Sequence, residues 1–302
     1  AAQEQLGIRN HKSRTKAVKP RLNLATPQEW HHRSGCTSER TLKATAACVD
    51  GMNFKAGSWG SCNCWACWQN KRLTTMQSKA PKSRDENSIV SPFRRVVADW
   101  KGPLKPSREG YQWMLTISCK EIGLIYPAFG KRKAEAPKLF KVFLNYIRSK
   151  GFEVKLFSSD ADSTFISRVF RKLLEEWQIK QKIYLRGHLG SAAERAILVS
   201  VKRANAILLH AMMTHLLWKD AMMASVRIWN RLVNIDSSNP QLRQKTRIEF
   251  IEGKRTDWSM ARVPLCDAYP VIHSVRFGHF TSKILPGKWI NLGMDDVVFT
   301  YK

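Results

Sequence analysis

Four residues in the first quarter of the chain have the types and spacing of a metal site. His31 and Cys36 form an H-x4-C pair, Cys64 and Cys67 a C-x2-C pair, and 27 residues separate the two. Paired ligands at short spacing, held apart by a loop, are how a chain closes a tetrahedral zinc site. His32 competes with His31, and Cys62 with Cys64, so the sequence leaves the exact quartet open. A structural zinc also suits a segment of about fifty residues, which has too little core to fold reliably alone.

A second group is acidic. Asp99 and Asp160 each end an apolar, strand-like run, and Glu194 opens a helix in Gly190-Ser-Ala-Ala-Glu-Arg195. In a sheet that makes the first and fourth strands neighbours, the two aspartates lie side by side, and a helix packed across that edge brings Glu194 opposite them. Three converging carboxylates can hold two Mg²⁺ (or Mn²⁺) ions roughly 3.5–4 Å apart. One ion activates the attacking oxygen and the other stabilises the leaving oxygen of an in-line phosphoryl displacement. No serine, cysteine or lysine has a triad context, so covalent hydrolysis is disfavoured, and no motif calls for a small-molecule cofactor.

The elements that must position these acids follow from periodicity. Phe93–Asp99, Tyr111–Ser118 and Ile122–Phe129 are strand-like, the last two forming a hairpin. Leu139, Val142, Phe143, Tyr146 and Ile147 recur at helical spacing, and Gly151 stops that helix. Phe152, Val154 and Leu156 alternate in a strand ending at Asp160. Phe165–Ile179 is helical, Lys182–Leu185 a short strand, and Ala192–Asn234 two helices meeting near Trp218-Lys219-Asp220. The methionines 212, 213, 222 and 223 read as core fillers. His210 and His215 read as satisfied helix residues, and Trp113, Trp177, Trp218 and Trp229 as core.

Composition sets the partner. The 302 residues carry 51 Lys+Arg against 24 Asp+Glu, a net charge of +27, and a field this positive calls for an anionic partner. Nucleic acid fits best, because each phosphate contact releases counterions. Candidate contacts are Lys12, Arg14, Lys16, Lys19 and Arg21 in an N-terminal arm, and Arg195, Lys202 and Arg203 on the core. The apolar stretches are broken by charge too often to span a membrane, and seven cysteines are too few and too uneven for a secreted disulfide framework. The chain opens Ala-Ala-Gln-Glu and reads as a processed piece or a fragment. The expected organisation is a basic arm (1–28), a zinc-binding segment (29–78), a linker (79–92), an α/β core (93–236) and a small β-rich domain (237–302).

Seven motifs in order resemble the integrase of copia-type LTR retrotransposons. Trp30-His-His-Arg-Ser-Gly-Cys36 is similar to the family's W-H-x-R-L-G-H, and Cys64-Trp-Ala-Cys67 to its knuckle. Asp99-Trp-Lys-Gly-Pro103, Ser159-Asp160 with Phe165-Ile-Ser167, and Ala193-Glu-Arg195 resemble the three acid-bearing elements. Leu217-Trp218 with Asn230-Arg-Leu232, and Arg262-Val263 with Cys266, Ala268 and Tyr269, resemble the segments that follow. The resemblance implies an α/β fold: an RNase H-like mixed five-stranded sheet with flanking helices, preceded by a small zinc-binding helical domain and followed by a β-rich one. It also implies Zn at His31, Cys36, Cys64 and Cys67, and Mg at a catalytic Asp99, Asp160 and Glu194. DNA as substrate, a homo-oligomer and a nuclear location with a cytoplasmic phase follow from the same likeness. The chain departs from the pattern at Cys36 (family His), Ala161-Asp162 (Asn-Gly), Thr164 (Glu) and Gly190 (Asn). An intact triad favours a DNA strand transferase and 3′-end processor. The drifted turn favours a degenerate or domesticated integrase that binds nucleic acid without chemistry.

Overall fold

Alternation builds the central strand. In β1 (Arg95–Lys101), Val96, Ala98 and Trp100 enter one hydrophobic core, which puts Val97 and Asp99 on the opposite face. The computed structural model describes residues 24–55, 64–71, 91–184, 192–237, 239–268, 287–289 and 298–300. β2 (Trp113–Cys119) and β3 (Ile125–Gly130) pair antiparallel beside β1, while β4 (Leu156–Asp160) and β5 (Lys180–Tyr184) pair parallel on its other side. The order is therefore β3-β2-β1-β4-β5, a mixed sheet with the topology of the RNase H-like fold.

Helices cover both faces. α4 (Ala136–Ser149) buries Phe140, Phe143, Leu144 and Ile147, an i, i+3, i+4, i+7 stripe, against the β1 face that carries Val96. α5 (Ser163–Ile166) and α6 (Arg168–Glu176) join it, and Phe140, Phe157, Phe165 and Phe170 interlock with ring centroids 4.9–5.5 Å apart. The other face receives α7 (Ala192–His210), which packs against β1 and β2, and α8 (Trp218–Asn230), which packs against β3 and α7.

The N-terminal helices build onto that second layer. α1 (Pro27–Arg33) starts at a capping box in which Thr26 and Glu29 satisfy each other's backbone N–H groups. With α2 (Glu39–Ala46) it contributes Trp30 and Leu42, and the segment that follows adds Met52, to a cluster containing Ile207, Trp218, Met222, Ile228, Trp258 and Leu265. Trp30 meets Trp258 edge to face at 6.2 Å, and the Trp258 N–H donates to the Asp50 carbonyl. Gly51 (φ +72°) permits this approach, because a Cβ there would stand 2.3 Å from the Ser259 nitrogen. Residues 240–268 thus run back over both cores, with α9 (Pro240–Gln244) and α10 (Glu249–Glu252) adding Leu242 and Ile251 to the first. Asp267–Ala268, Gly287–Trp289 and Val298–Thr300 form a separate three-stranded antiparallel sheet. No described helix is long and apolar enough to cross a membrane.

Several boundaries differ from the sequence reading. β1 continues two residues past Asp99 because Trp100 and Lys101 still pair with Leu115 and Met114. β4 starts only at Leu156, where its ladder with Arg95 begins, so Phe152 and Val154 precede it. Ser167 caps α6 and splits the helical run 165–179 in two. The long helical stretch breaks at Met212, ahead of Trp218. Met212 takes φ +49°, is 89% exposed and is no core filler, while the Met213 N–H closes on the Leu208 carbonyl.

Candidate metal centres

The His/Cys quartet assembles. His31 lies on α1, Cys36 follows it in a turn, and Cys64 and Cys67 flank the start of α3 (Trp65–Lys71). All four ligand atoms lie within 4.8 Å of one another, with His31 Nε2 3.2 Å from Cys67 Sγ and Cys36 Sγ 3.6 Å from Cys64 Sγ. A zinc tetrahedron with 2.0–2.3 Å bonds has edges of about 3.5–3.8 Å. The turn is unusual: Gly35 (φ +59°) and Cys36 (φ +64°) are both left-handed, and a non-glycine residue holds that conformation only when its surroundings require it.

Hydrogen bonding decides between the two histidines. His31 Nδ1 lies 2.9 Å from the Thr37 carbonyl, so its proton belongs there, and the Nε2 lone pair faces the sulfurs. His32 turns away and stacks on His210 at 4.2 Å. Cys62 lies outside the described residues. Burial resists a charged His31 ring, but hydrogen bonds to Cys67 and Thr37 outweigh it and raise its pKa to about 9. Hydrogen bonding to Cys67, burial and the neighbouring sulfurs push the Cys36 thiol far up. Such a nitrogen-and-sulfur set fits a zinc ion, whose charge would remove that repulsion.

The acids converge more loosely. Asp99 pairs across the antiparallel ladder with Thr116. Continuing the parallel β1–β4 register two rows past Val97↔Ser158 sets Asp99 opposite Asp160. Glu194 sits in the first turn of α7, exposed, while its neighbours Ala193 and Ala196 are buried. Burial raises the Asp99 pKa to about 6; the Trp100 N–H, 2.7 Å from Oδ1, opposes this, and the charges of Asp160, Glu194 and Asp162 add to it. Asp99 thus feels the charges of Asp160 and Glu194, and that of Asp162 as well. Among the described residues, however, only the His/Cys quartet has three or more donors at metal-ligand spacing. None of the ion pairs among the described residues involves Asp99, Asp160 or Glu194. Thr116, fully buried, leaves its hydroxyl without a partner beside Asp99. Oxygen donors without a protein counter-charge fit a hard divalent cation.

The altered turn has its own supports, which periodicity did not reveal. Asp162 caps α5, its Oδ1 accepting from the Thr164 N–H and hydroxyl, and its Oδ2 pairs with Lys133 at 2.5 Å. Thr164 Oγ1 also accepts from the Trp100 indole at 3.1 Å, and the Asp162 N–H donates to Asp160 Oδ1. Asp160 ends β4, and Asp162 pairs with Lys133. Burial opposes the Asp162 charge, but Lys133 and Thr164 hold its pKa below the usual carboxylate range.

Of the expected phosphate contacts, Arg195 is exposed and Lys202 half-buried, and Lys12, Arg14, Lys16, Lys19 and Arg21 lie outside the described residues. Arg203 is a correction. Its Nε and Nη1 are sealed from solvent, and its stem lies under Gly35, because that face of α7 is covered by the metal-site turn.

No family model matches the chain, and no curated protein does. Among solved structures, it is similar to the HTLV-2 integrase catalytic core domain in complex with magnesium, trimeric form (18% identity, 54% of this chain, 98% of that one, TM-score 0.40). It is also similar to a chain of the simian T-cell lymphotropic virus intasome in complex with PP2A regulatory subunit B56 gamma (13%, 71% and 78%, 0.42). A third is the BIV integrase catalytic core domain (12%, 53% and 95%, 0.39). The fold is carried by the strand order and register above, not by these similarities.

Proposed function

We propose that the protein is an integrase-type polynucleotidyl transferase, processing DNA 3′ ends and joining them to target DNA. The observation that supports this best is electrostatic: in a chain of net charge +27, three carboxylates without an ion-pair partner lie near the β1–β4 seam, where Asp99 feels the charges of the other two. Asp99, Asp160 and Glu194 would hold divalent magnesium or manganese. The metals would supply activation of the attacking oxygen and stabilisation of the leaving oxygen. The protein's own part is to orient these acids: β1 and β4 fix two by register, and α7 carries the third. Cationic surface, Arg195 and Lys202 included, would position the DNA backbone without reading bases. Zinc at His31, Cys36, Cys64 and Cys67 would hold the N-terminal helices together. A homo-oligomer and nuclear action on DNA belong to the same reading.

A strand-transfer assay on short duplex ends with Mg²⁺ or Mn²⁺, run beside Asp160→Asn, tests it. Product that depends on Asp160 and on the metal is the expected result. A second reading, nucleic-acid binding without chemistry, is favoured by the trio's looser spacing and the rebuilt turn. Salt-sensitive DNA binding with no product under either metal would establish it.

A further inference from the structure

Arg203 sits where a cation is costly. It lies on α7, and its Nε and Nη1 are buried without a hydrogen-bond partner; its one hydrogen bond is from Nη2 to Thr37 Oγ1 at 3.3 Å. Among the described residues no carboxylate pairs with it. Arg247 provides a contrast. Its guanidinium is also sequestered and its Nε is likewise unpaired, but Nη1 donates to the Trp229 and Leu232 carbonyls and the group lies 3.8 Å over the Trp229 ring. Arg203 has one hydroxyl and lies farther over the same ring, at 5.8 Å. A buried charge met this poorly costs several kcal/mol unless an opposite charge lies near.

The nearest anionic chemistry is the His/Cys quartet. A Cβ on Gly35 would stand 2.7 Å from Arg203 Cγ, so the stem runs directly beneath the turn that carries Cys36. Thr37, which accepts from Arg203, is also the residue whose carbonyl orients His31. Ala206 and Leu209, one turn farther along α7, pack on Cys64, Ala66 and Cys67. One divalent cation, three thiolates and a neutral imidazole leave one net negative charge. A quartet with two thiolates and two imidazoles leaves none.

We propose that Arg203 is the counter-ion of an anionic three-thiolate zinc centre, so that the cysteine at position 36 and the arginine at 203 balance each other. The same contact fastens the centre to the helix that bears Glu194. The inference rests on the zinc reading above, and the effect of outer-shell partners on metal sites sets its size.

The test is zinc affinity of the full chain, measured by competition with a chromophoric chelator, with Co²⁺ spectra reporting how many thiolates bind. Arg203→Met weakens Zn²⁺ binding about 10- to 100-fold, and Arg203→Lys, which keeps the charge, retains most of it. Cys36→His added to Arg203→Met recovers affinity, because the centre is then neutral and needs no counter-ion. Arg203→Met binding as tightly as the parent overturns the proposal. So does Arg203→Lys falling as far as Arg203→Met with no recovery from Cys36→His, which makes the role one of shape. Where Arg203→Met does not fold, Cys36→His alone decides. It strands the cation and lowers both zinc affinity and melting temperature, and unchanged values defeat the inference. Parent protein that takes up no Zn²⁺ defeats the zinc reading itself.

Discussion

The two candidate centres differ in how finished they are. At the His/Cys quartet, sulfurs and an imidazole lie close enough to share one metal ion, held by a left-handed turn, a carbonyl on His31 and a helix underneath. At the β1–β4 seam, Asp99 feels the charges of the other two acids, but the three are not at ligand spacing. The difference is chemical. Close-packed thiols resist ionising, whereas carboxylates ionise readily and repel one another.

Four measurements press on that contrast, the largest effect first. Stripping a bound zinc from the quartet, as proposed above, should forfeit a binding energy on the order of 10 kcal/mol. Hydrogen exchange should then show α1 and α3 unprotected and the loss spreading into the C-terminal half of α7, while β1–β4 stay protected. A response confined to α1 and α3 would mean the centre is not fastened to α7. Asp160→Asn should cut strand transfer by more than about 100-fold, since a ligand matters more than its outer shell, and leave the melting temperature within a degree or two. Asp162→Ala removes a helix cap and a half-buried ion pair. Urea denaturation should show it to cost about 2 kcal/mol, with Asp162→Asn costing less because it keeps the cap.

The smallest effect is one of pH. With metal removed, Asp99 stays protonated in the folded protein up to about pH 6. The unfolded chain releases that proton near pH 4. Stability of the metal-free protein should therefore fall as pH rises from 4 to 6, by about 1 kcal/mol after allowance for solvent screening. Asp99→Asn should flatten that slope, and Mg²⁺ should reverse its effect above pH 6. A flat profile in the parent protein would show that burial does not hold Asp99 protonated.

Much of the frame was legible because it depends on repetition. Alternation in Val96–Trp100 names one layer. The helical period of α4 is right, but its face is turned: the sequence pattern picks out Leu139, Val142 and Tyr146 with Phe143 and Ile147, whereas Phe140, Phe143, Leu144 and Ile147 are buried and Val142 is 52% exposed. Cysteine spacing finds the quartet. What periodicity cannot show is where a single polar atom goes. The choice of His31 over His32 turns on the Thr37 carbonyl, and the inward course of Arg203 on the absence of a side chain at Gly35. Lys133 and Trp100 come from other elements and meet Asp162 and Thr164 only in the folded turn. The break at Met212 falls within an apolar run with no glycine or proline to mark it.

The Trp30–Trp258 contact has a consequence in time. Arg255 reaches the Val49 carbonyl across 206 positions, and the Trp258 N–H reaches Asp50 over a similar span. During synthesis the N-terminal helices leave the ribosome long before their partner exists. At roughly 5–20 residues per second they wait on the order of ten seconds or more with Trp30 and Leu42 unburied. The β-sheet core draws most of its residues from one continuous stretch and can close in the meantime. The second cluster closes last, over the longest loop, and its assembly marks the point at which the newborn chain stops being sticky.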